Sequence, residues 1–171
     1  GRLNSTGTTA TFNQPTGIAV DAAGNVYIGD AGNDRIRKIT PAGVVTSLAG
    51  SDSTGYTDGP GITAAFFHPE GVTLDAAGNV YVADAGNNLI RKVTPDGTVS
   101  TFAGNGTTIG DAGAFSDPTG VAADASGNIY VANALKNNIL KLTSAGIVST
   151  FAGTGDFGAL NGPARGATFY F

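Results

Sequence analysis

The chain has 171 residues, a formal net charge of −4, only 13% charged residues, 27 glycines and no cysteine. The lack of cysteine excludes a disulfide framework and a thiolate metal site. The acidic balance argues against a nucleic-acid partner, whose phosphates need clustered Lys and Arg, and no apolar run reaches the roughly 18 residues of a membrane helix.

The first part of the chain predicts short strands separated by turns. Residues 17–20 are apolar on both faces, as in a strand that has protein on either side. They end at 21–25, where Asp21 can cap a turn through its side chain and Gly24 can supply a positive φ. Residues 26–28 are β-branched and aromatic and predict a second strand.

Two further strands complete this unit. Residues 35–39 carry charges at alternate positions, so we expect that strand to be half-exposed, and residues 44–48 form the most polar run. Hydrophobicity thus falls from the first run to the fourth, which predicts a wholly buried first strand and a solvated last strand. A four-stranded antiparallel meander with this gradient is typical of a β-propeller blade.

The same pattern occurs three times, starting at Pro15, Pro69 and Pro118. Repeats of this length are typical of arrays whose units bury their apolar faces against each other. We therefore predict an all-β fold with one repeat domain over 1–171, and a stacked solenoid is the structural alternative. The predicted blades cover about 15–50, 69–104 and 118–153, and the connectors are 1–14, 51–68, 105–117 and 154–171.

The three units resemble NHL repeats. All three contain P-x-G-[IV]-x-x-D-x-x-G-N-[VI]-Y-[VI]-[AG]-[DN], followed shortly by [IL]-[RL]-K-[ILV]. The resemblance implies a β-propeller, most often six-bladed, and a range of binding roles. It also implies that some relatives are enzymes, with His and metal-ligand clusters lining the central channel.

Three blades do not close a ring, because propellers use about four to eight. The two end faces would stay apolar and bare, so we expect the chain to associate with itself, most simply as a six-bladed dimer ring. An open extracellular fibre and a fragment of a longer NHL-repeat protein are the alternatives. Residues 158–161 and 167–169 align with residues 1–4 and 10–12, so the two terminal connectors would compete for one groove at each junction.

The sequence offers little for catalysis. His68 is the only histidine and reads as a packed connector residue, so no second histidine is present to share a metal. Most acidic residues recur at fixed places, which favours turn caps over a catalytic pair: Asp21, Asp75 and Asp124 at the first turn, and Asp30 and Asp84 at the second. We expect no enzyme activity and no cofactor, with a propeller lyase or hydrolase as the alternative. The runs 52–59 and 110–113 could offer oxygens to calcium but lack an ordered ligand spacing.

The second turns and the connectors should lie on one face of the ring, because each strand reverses direction. That face has the longest loops and is where we expect a protein or glycan ligand. The candidate binding residues are Asn33, Asp34, Asn87, Asn88, Leu135, Lys136 and Asn137.

In the third unit Asn133 and Leu140 replace an Asp and an Arg, which marks either a contact patch or sequence drift. Composition favours an extracellular or periplasmic location, and Asn4 and Asn105 fit the glycosylation sequon.

Overall fold

The computed structural model describes residues 1–104 and 115–170. The Asn105 sequon, the 110–113 run and most of the predicted 105–117 connector lie outside these described residues. Within them the chain is all-β, with strands joined by tight turns and four three-residue 3-10 turns. No helix in this part of the chain has the length and apolar character needed to cross a membrane.

Three four-stranded antiparallel sheets follow one another along the chain, which confirms the predicted fold class. In each sheet the strands are hydrogen-bonded in sequence order, so that the sheet is a simple meander. The first sheet has β2 (Pro15–Val20), β3 (Val26–Asp30), β4 (Arg35–Ile39) and β5 (Val44–Ala49). The second has β6 (Pro69–Leu74), β7 (Val80–Asp84), β8 (Leu89–Val93) and β9 (Val99–Ala103). The third has β10 (Pro118–Ala123), β11 (Ile129–Asn133), β12 (Asn138–Leu142) and β13 (Val148–Ala152).

The connectors add to the outer edges of the sheets. A short strand, β1 (Ser5–Thr6), pairs antiparallel with β5 and makes the first sheet five-stranded. Gly59, in the connector before the second sheet, forms the corresponding bridge to Val99 in β9. Each of these two connectors therefore holds the outermost strand of the sheet that follows it, so that the unpaired edge of that strand is partly covered.

The core lies between sheets rather than within them. Between the first and second sheets, Tyr27, Ile36 and Ala49 pack against a row of valines from the second sheet and against Phe66 of the connector. Between the second and third sheets, Tyr81 and its neighbours pack in the same way against the third sheet. Burial of a Val or Ile side chain contributes roughly 1.5–3 kcal/mol, so face-to-face packing supplies most of the stability.

The expected burial gradient is wrong for the first strand. In β2, Ile18 is 67% exposed, whereas its counterpart in β6, Val72, is 6% exposed. The most buried strand is the second of each sheet, and every residue of β7 is buried. The reason is that each first strand is an edge strand with one hydrogen-bonded neighbour, while β2 also has no sheet against its outer face in the described structure.

The first turn of each unit is held by an aspartate, as predicted. Asp124 Oδ1 accepts hydrogen bonds from the backbone N–H groups of Ser126 and Asn128, both at 2.9 Å. Its Oδ2 accepts one from Asn128 Nδ2 at 2.8 Å and one from the Tyr130 hydroxyl at 3.3 Å. The corresponding bonds recur at Asp21 and Asp75. The predicted role of these three residues as turn caps is confirmed.

This turn makes stability pH-dependent in a defined direction. The hydrogen bond from the Asn128 side chain holds the pKa of Asp124 below its ordinary value of 3.8, with further lowering from the backbone N–H groups. A carboxylate with a lowered folded-state pKa stabilises the fold above about pH 4, and this contribution is lost as the pH falls through the folded pKa. We expect Asp124→Asn to unfold at a lower urea concentration than the parent near pH 7. The difference between the two urea midpoints should narrow near pH 3.

Urea unfolding followed by circular dichroism at both pH values measures this gap. Asp156→Asn, which removes one negative charge from an exposed residue of the C-terminal connector, is the control. A gap between Asp124→Asn and the parent that is as large at low pH as at neutral pH would contradict the assigned role.

Candidate interaction surface

A fully buried ion pair lies in the first unit between β3 and β4. Arg37 Nη1 donates to Asp30 Oδ2 at 2.8 Å, and both side chains have zero exposed area. Asp30 Oδ2 also accepts from Asn33 Nδ2 at 2.8 Å, and Asp30 Oδ1 accepts from the Asn13 backbone N–H at 2.7 Å. The expectation of a half-exposed third strand is therefore wrong at Arg37, because a carboxylate compensates the guanidinium charge inside the protein.

Arg37 also binds the connector that precedes its sheet. Its Nη2 donates to the backbone carbonyl of Leu3 at 3.1 Å and to Asn4 Oδ1 at 2.8 Å. Its Nη1 donates to the carbonyl of Thr11 at 3.1 Å, and its guanidinium carbon lies 5.0 Å from the centre of the Phe12 ring. We call this arrangement, an Asp–Arg pair holding the preceding connector, the clamp.

The second unit repeats the clamp. Arg91 Nη1 donates to Asp84 Oδ2 at 3.0 Å, again with zero exposed area on both side chains. Arg91 Nη2 donates to the carbonyl of Thr57 at 3.2 Å and to Asp58 Oδ1 at 2.6 Å. The predicted turn-cap role is wrong for Asp30 and Asp84, because neither side chain accepts a capping hydrogen bond from the backbone of the second turn. Asp84 instead fixes the arginine that binds a connector about 30 residues earlier in the chain.

The clamp carboxylate of the second unit has a shifted acidity. Burial raises the pKa of Asp84 to about 6, and the hydrogen bonds from Asn87 and the Phe67 N–H and the charge of Arg91 act in the opposite direction. Asp84 is therefore ionised at pH values well above 6 and becomes protonated as the pH falls through that value. The buried charge is tolerated because each carboxylate oxygen accepts at least one hydrogen bond.

The third unit has a neutral substitute for the clamp. Asn133 Oδ1 accepts the Ser116 backbone N–H at 2.6 Å, and Asn133 Nδ2 lies 3.0 Å from Asn138 Oδ1. Leu140, where the other units have arginine, is only 4% exposed and packs in the core between the second and third sheets. These two replacements belong to the interior, so the predicted contact patch of the third unit cannot include them.

Most of the predicted binding residues make internal contacts. Asn33 and Asn87 donate to the clamp carboxylates, and Asn33 also donates to the carbonyl of Gly1. Asp34 Oδ1 accepts the His68 N–H at 2.8 Å, and Asn88 Oδ1 accepts the Asp117 N–H at 2.7 Å.

The other three predicted residues lie in the second turn of the third unit. Leu135 is 62% exposed, Lys136 is half-buried, and Asn137 Nδ2 lies 3.5 Å from the carbonyl of Gly155. The second turns and connectors thus share one face of the molecule, as expected. Their use by a protein or glycan ligand stays a prediction.

His68 lies in the connector before the second sheet, with its Nδ1 3.2 Å from Glu70 Oε1. Within residues 1–104 and 115–170 there is no group of three His, Cys, Asp or Glu side chains placed to hold a metal ion.

In the described residues, the first and third sheets each have one apolar face that no other sheet covers. On the first open face, Ile18 and Val20 are 67% and 60% exposed. On the last open face, Phe151 is 47% exposed and packs edge-on against Tyr130, with ring centres 5.0 Å apart. Tyr81, the counterpart of Tyr130 in the second sheet, is only 5% exposed because the third sheet covers it.

Comparison with known proteins identifies the repeat. The family model described as NHL repeat matches residues 12–39 and 66–93. A curated relative, NHL repeat-containing protein 3 from Homo sapiens, is 38% identical over 88 residues, covering 50% of this chain and 23% of the relative. The chain spans between 8% and 23% of the length of the curated relatives it matches.

Two solved structures share the fold. A structural genomics protein of unknown function from Bacteroides thetaiotaomicron superposes with a TM-score of 0.74 at 24% identity, over 93% of this chain and 41% of that protein. Virginiamycin B lyase from Staphylococcus aureus superposes with a TM-score of 0.60 at 18% identity, over 81% of this chain and 41% of the lyase. The β-propeller fold is therefore confirmed, and the matched part of this chain covers 41% of each of these two structures.

The neutral third unit provides a test of the clamp. We expect Arg91→Leu to lower the free energy of unfolding by about 3–5 kcal/mol, because Asp84 is then left buried without its partner. The double variant Asp84→Asn/Arg91→Leu, which copies Asn133 and Leu140, should recover at least half of that loss. Urea denaturation of the parent and both variants measures the two differences. Equal losses in the single and double variants would contradict the ion-pair account.

Proposed function

Because the chain contains NHL repeats folded as β-propeller blades, we propose that it is a non-catalytic scaffold that associates with itself through its two open faces. In this proposal the assembled ring, outside the cell, presents its second turns and connectors to a protein or glycan ligand. Loops that a rigid scaffold positions carry a disproportionate share of binding residues, and the connectors are the longest loops of this chain.

The observation that carries this proposal is the contrast between equivalent side chains. Val72 is 6% exposed beneath the first sheet, whereas Ile18, at the same position of the first sheet, is 67% exposed. The two internal junctions show what covers such a face, namely the opposite face of a unit with the same sequence pattern. Exposed contiguous apolar surface of this kind marks an interaction site in soluble proteins.

A pair of chains is the simplest assembly that covers both faces. The first open face of one copy meets the last open face of the other, and a two-fold axis repeats the junction to give six blades. The same junction without closure would build a fibre, and in a longer chain further units would take the partner's place. Each of these three outcomes has its own particle mass.

A lyase is the second candidate, and the fold likeness to virginiamycin B lyase is the observation behind it. Incubation of the chain with quinupristin and added divalent metal ions, followed by mass spectrometry, tests this candidate. We expect no turnover above the buffer background, and turnover would contradict the non-catalytic proposal.

Light scattering tests the self-association. We expect a particle of about twice the 16.9 kDa chain mass at micromolar concentration. Val20→Asp should shift the particle to a monomer, because it would bury an unpaired charge at the junction. Ile62→Asp, at a site 86% exposed on a connector away from both open faces, should leave the dimer intact. A monodisperse monomer of the parent chain would refute the proposal.

A further inference from the structure

The C-terminal connector is folded as though it already lay between two blades. We name residues 1–14 the head, 51–68 the middle connector and 154–170 the tail. Gly153 N, just before the tail, donates to the carbonyl of Ala164 at 2.8 Å, and Gly158 N donates to that of Phe169 at 2.9 Å. The same two bonds hold the middle connector, from the preceding Gly50 N to the Gly61 carbonyl and from Gly55 N to the Phe66 carbonyl.

The turn inside the tail matches as well. The Ala167 N–H donates to the carbonyl of Pro163 at 3.1 Å, as the Ala64 N–H donates to that of Pro60 at 2.9 Å. The head has Thr6 where these segments have proline, and it forms strand β1 and a 3-10 turn there instead. The tail is therefore the closer copy of a connector that is packed on both sides.

The tail lacks the blade that a connector normally binds. Phe66 of the middle connector has no exposed area and lies 5.2 Å from the guanidinium of Arg91, whereas Phe169 of the tail is 38% exposed. Leu160 and Asn161 of the tail, the counterparts of Thr57 and Asp58 that bind Arg91, are exposed.

Two features define the blade that would fit the tail. The first is a clamp arginine, which would bind the carbonyl of Leu160 and the side chain of Asn161. The second is a glycine in the second turn, because Phe67 of the middle connector lies on Gly86, where an added Cβ would be 2.5 Å from the ring. Tyr170 of the tail, which is 76% exposed, stands at the position of Phe67.

The first blade has both features and an open face beside them. It carries the Asp30–Arg37 pair and Gly32, and it exposes Ile18 and Val20. The third blade has Leu140 and Leu135 at the positions of the arginine and the glycine, so the tail would meet no clamp and would collide with a side chain there. The second blade is already covered by the middle connector.

We propose that the tail of one copy binds the clamp of the first blade of a second copy and displaces that copy's head. This proposal rests on the self-association described above and names the segments that form its junction. The tail can take over the bonds of Leu3 and Asn4 to Arg37 through Leu160 and Asn161. It cannot replace the Arg2–Asp52 pair or the Asn13–Gly32 bond, because Ala159 and Tyr170 stand at those positions. The gain is burial of the two open faces and of Phe169, and the tail stays covalently joined to the sheet behind it.

A matched pair of substitutions tests the exchange. Asp58 in the middle connector approaches Arg91 at 2.6 Å, closer than the 2.8 Å between Asn4 and Arg37. Asn161→Asp should therefore strengthen the tail and lower the dimer dissociation constant by about fivefold, because charge-assisted hydrogen bonds are the stronger ones. Asn4→Asp should strengthen the head and raise that constant by about the same factor.

Each variant is the control for the other, because both add one negative charge to the same 171-residue chain. Sedimentation equilibrium of the parent and the two variants gives the three dissociation constants. Opposite shifts support the exchange. A dimer whose dissociation constant is unchanged, or moves in the same direction in both variants, overturns the exchange while the open-face association stands. A monomer in all three proteins overturns both.

Trypsin cleavage gives a second readout on the unmodified chain. Arg2 lies in the head and pairs with Asp52 at 2.8 Å, and Arg165 lies in the tail and is exposed. As the protein concentration rises through the dissociation constant, cleavage after Arg2 should become faster and cleavage after Arg165 slower. The reverse order of protection would show that the head keeps its place.

Discussion

Every sheet of this protein is apolar on both faces, and this constraint governs the rest of the molecule. A sheet that is apolar on one side can rest on a single partner, but these sheets must be covered twice. Among the sheets of residues 1–104 and 115–170, only the second meets that requirement, with Val82 and Ile90 fully buried. The first and third sheets each satisfy half of it, and the self-association proposed above would cover the other half.

The clamp gives this packing its register. Hydrophobic faces can slide over each other with little change in buried area, whereas a buried guanidinium has to meet a fixed set of acceptors. Arg37 and Arg91 each bind their own aspartate and a connector that lies outside the sheet. The connector is thereby fixed against one blade, and Phe66 is placed between two. The neutral pair Asn133 and Leu140 shows that a blade can be held without the charge, provided that an apolar side chain fills the space.

The repeat pattern was enough to predict the number of units, their strand order and the aspartate caps of the first turns, because these are local consequences of residue type. The burial of Arg37 was not predictable from its own strand, since alternating charge is typical of a half-exposed strand. Its burial depends on Leu3 and Asn4, more than 30 positions away. One signal was available: Asp and Arg are both present in two units and both absent from the third, as expected for residues in contact. The exposure of Ile18 likewise depends on a neighbouring sheet that this sequence does not contain.

Sheets that touch only the sheets beside them have a consequence for how the chain loses its structure. The free energy of unfolding of such a row of sheets is approximately a sum of one contribution per sheet and one per interface between neighbouring sheets, as in other repeat arrays. Strand β7, buried along its whole length, has a neighbour on either side, whereas β2 and β13 have one each. Opening should therefore spread inward from the outer units, and the amide protons of β7 should be the last to exchange with solvent.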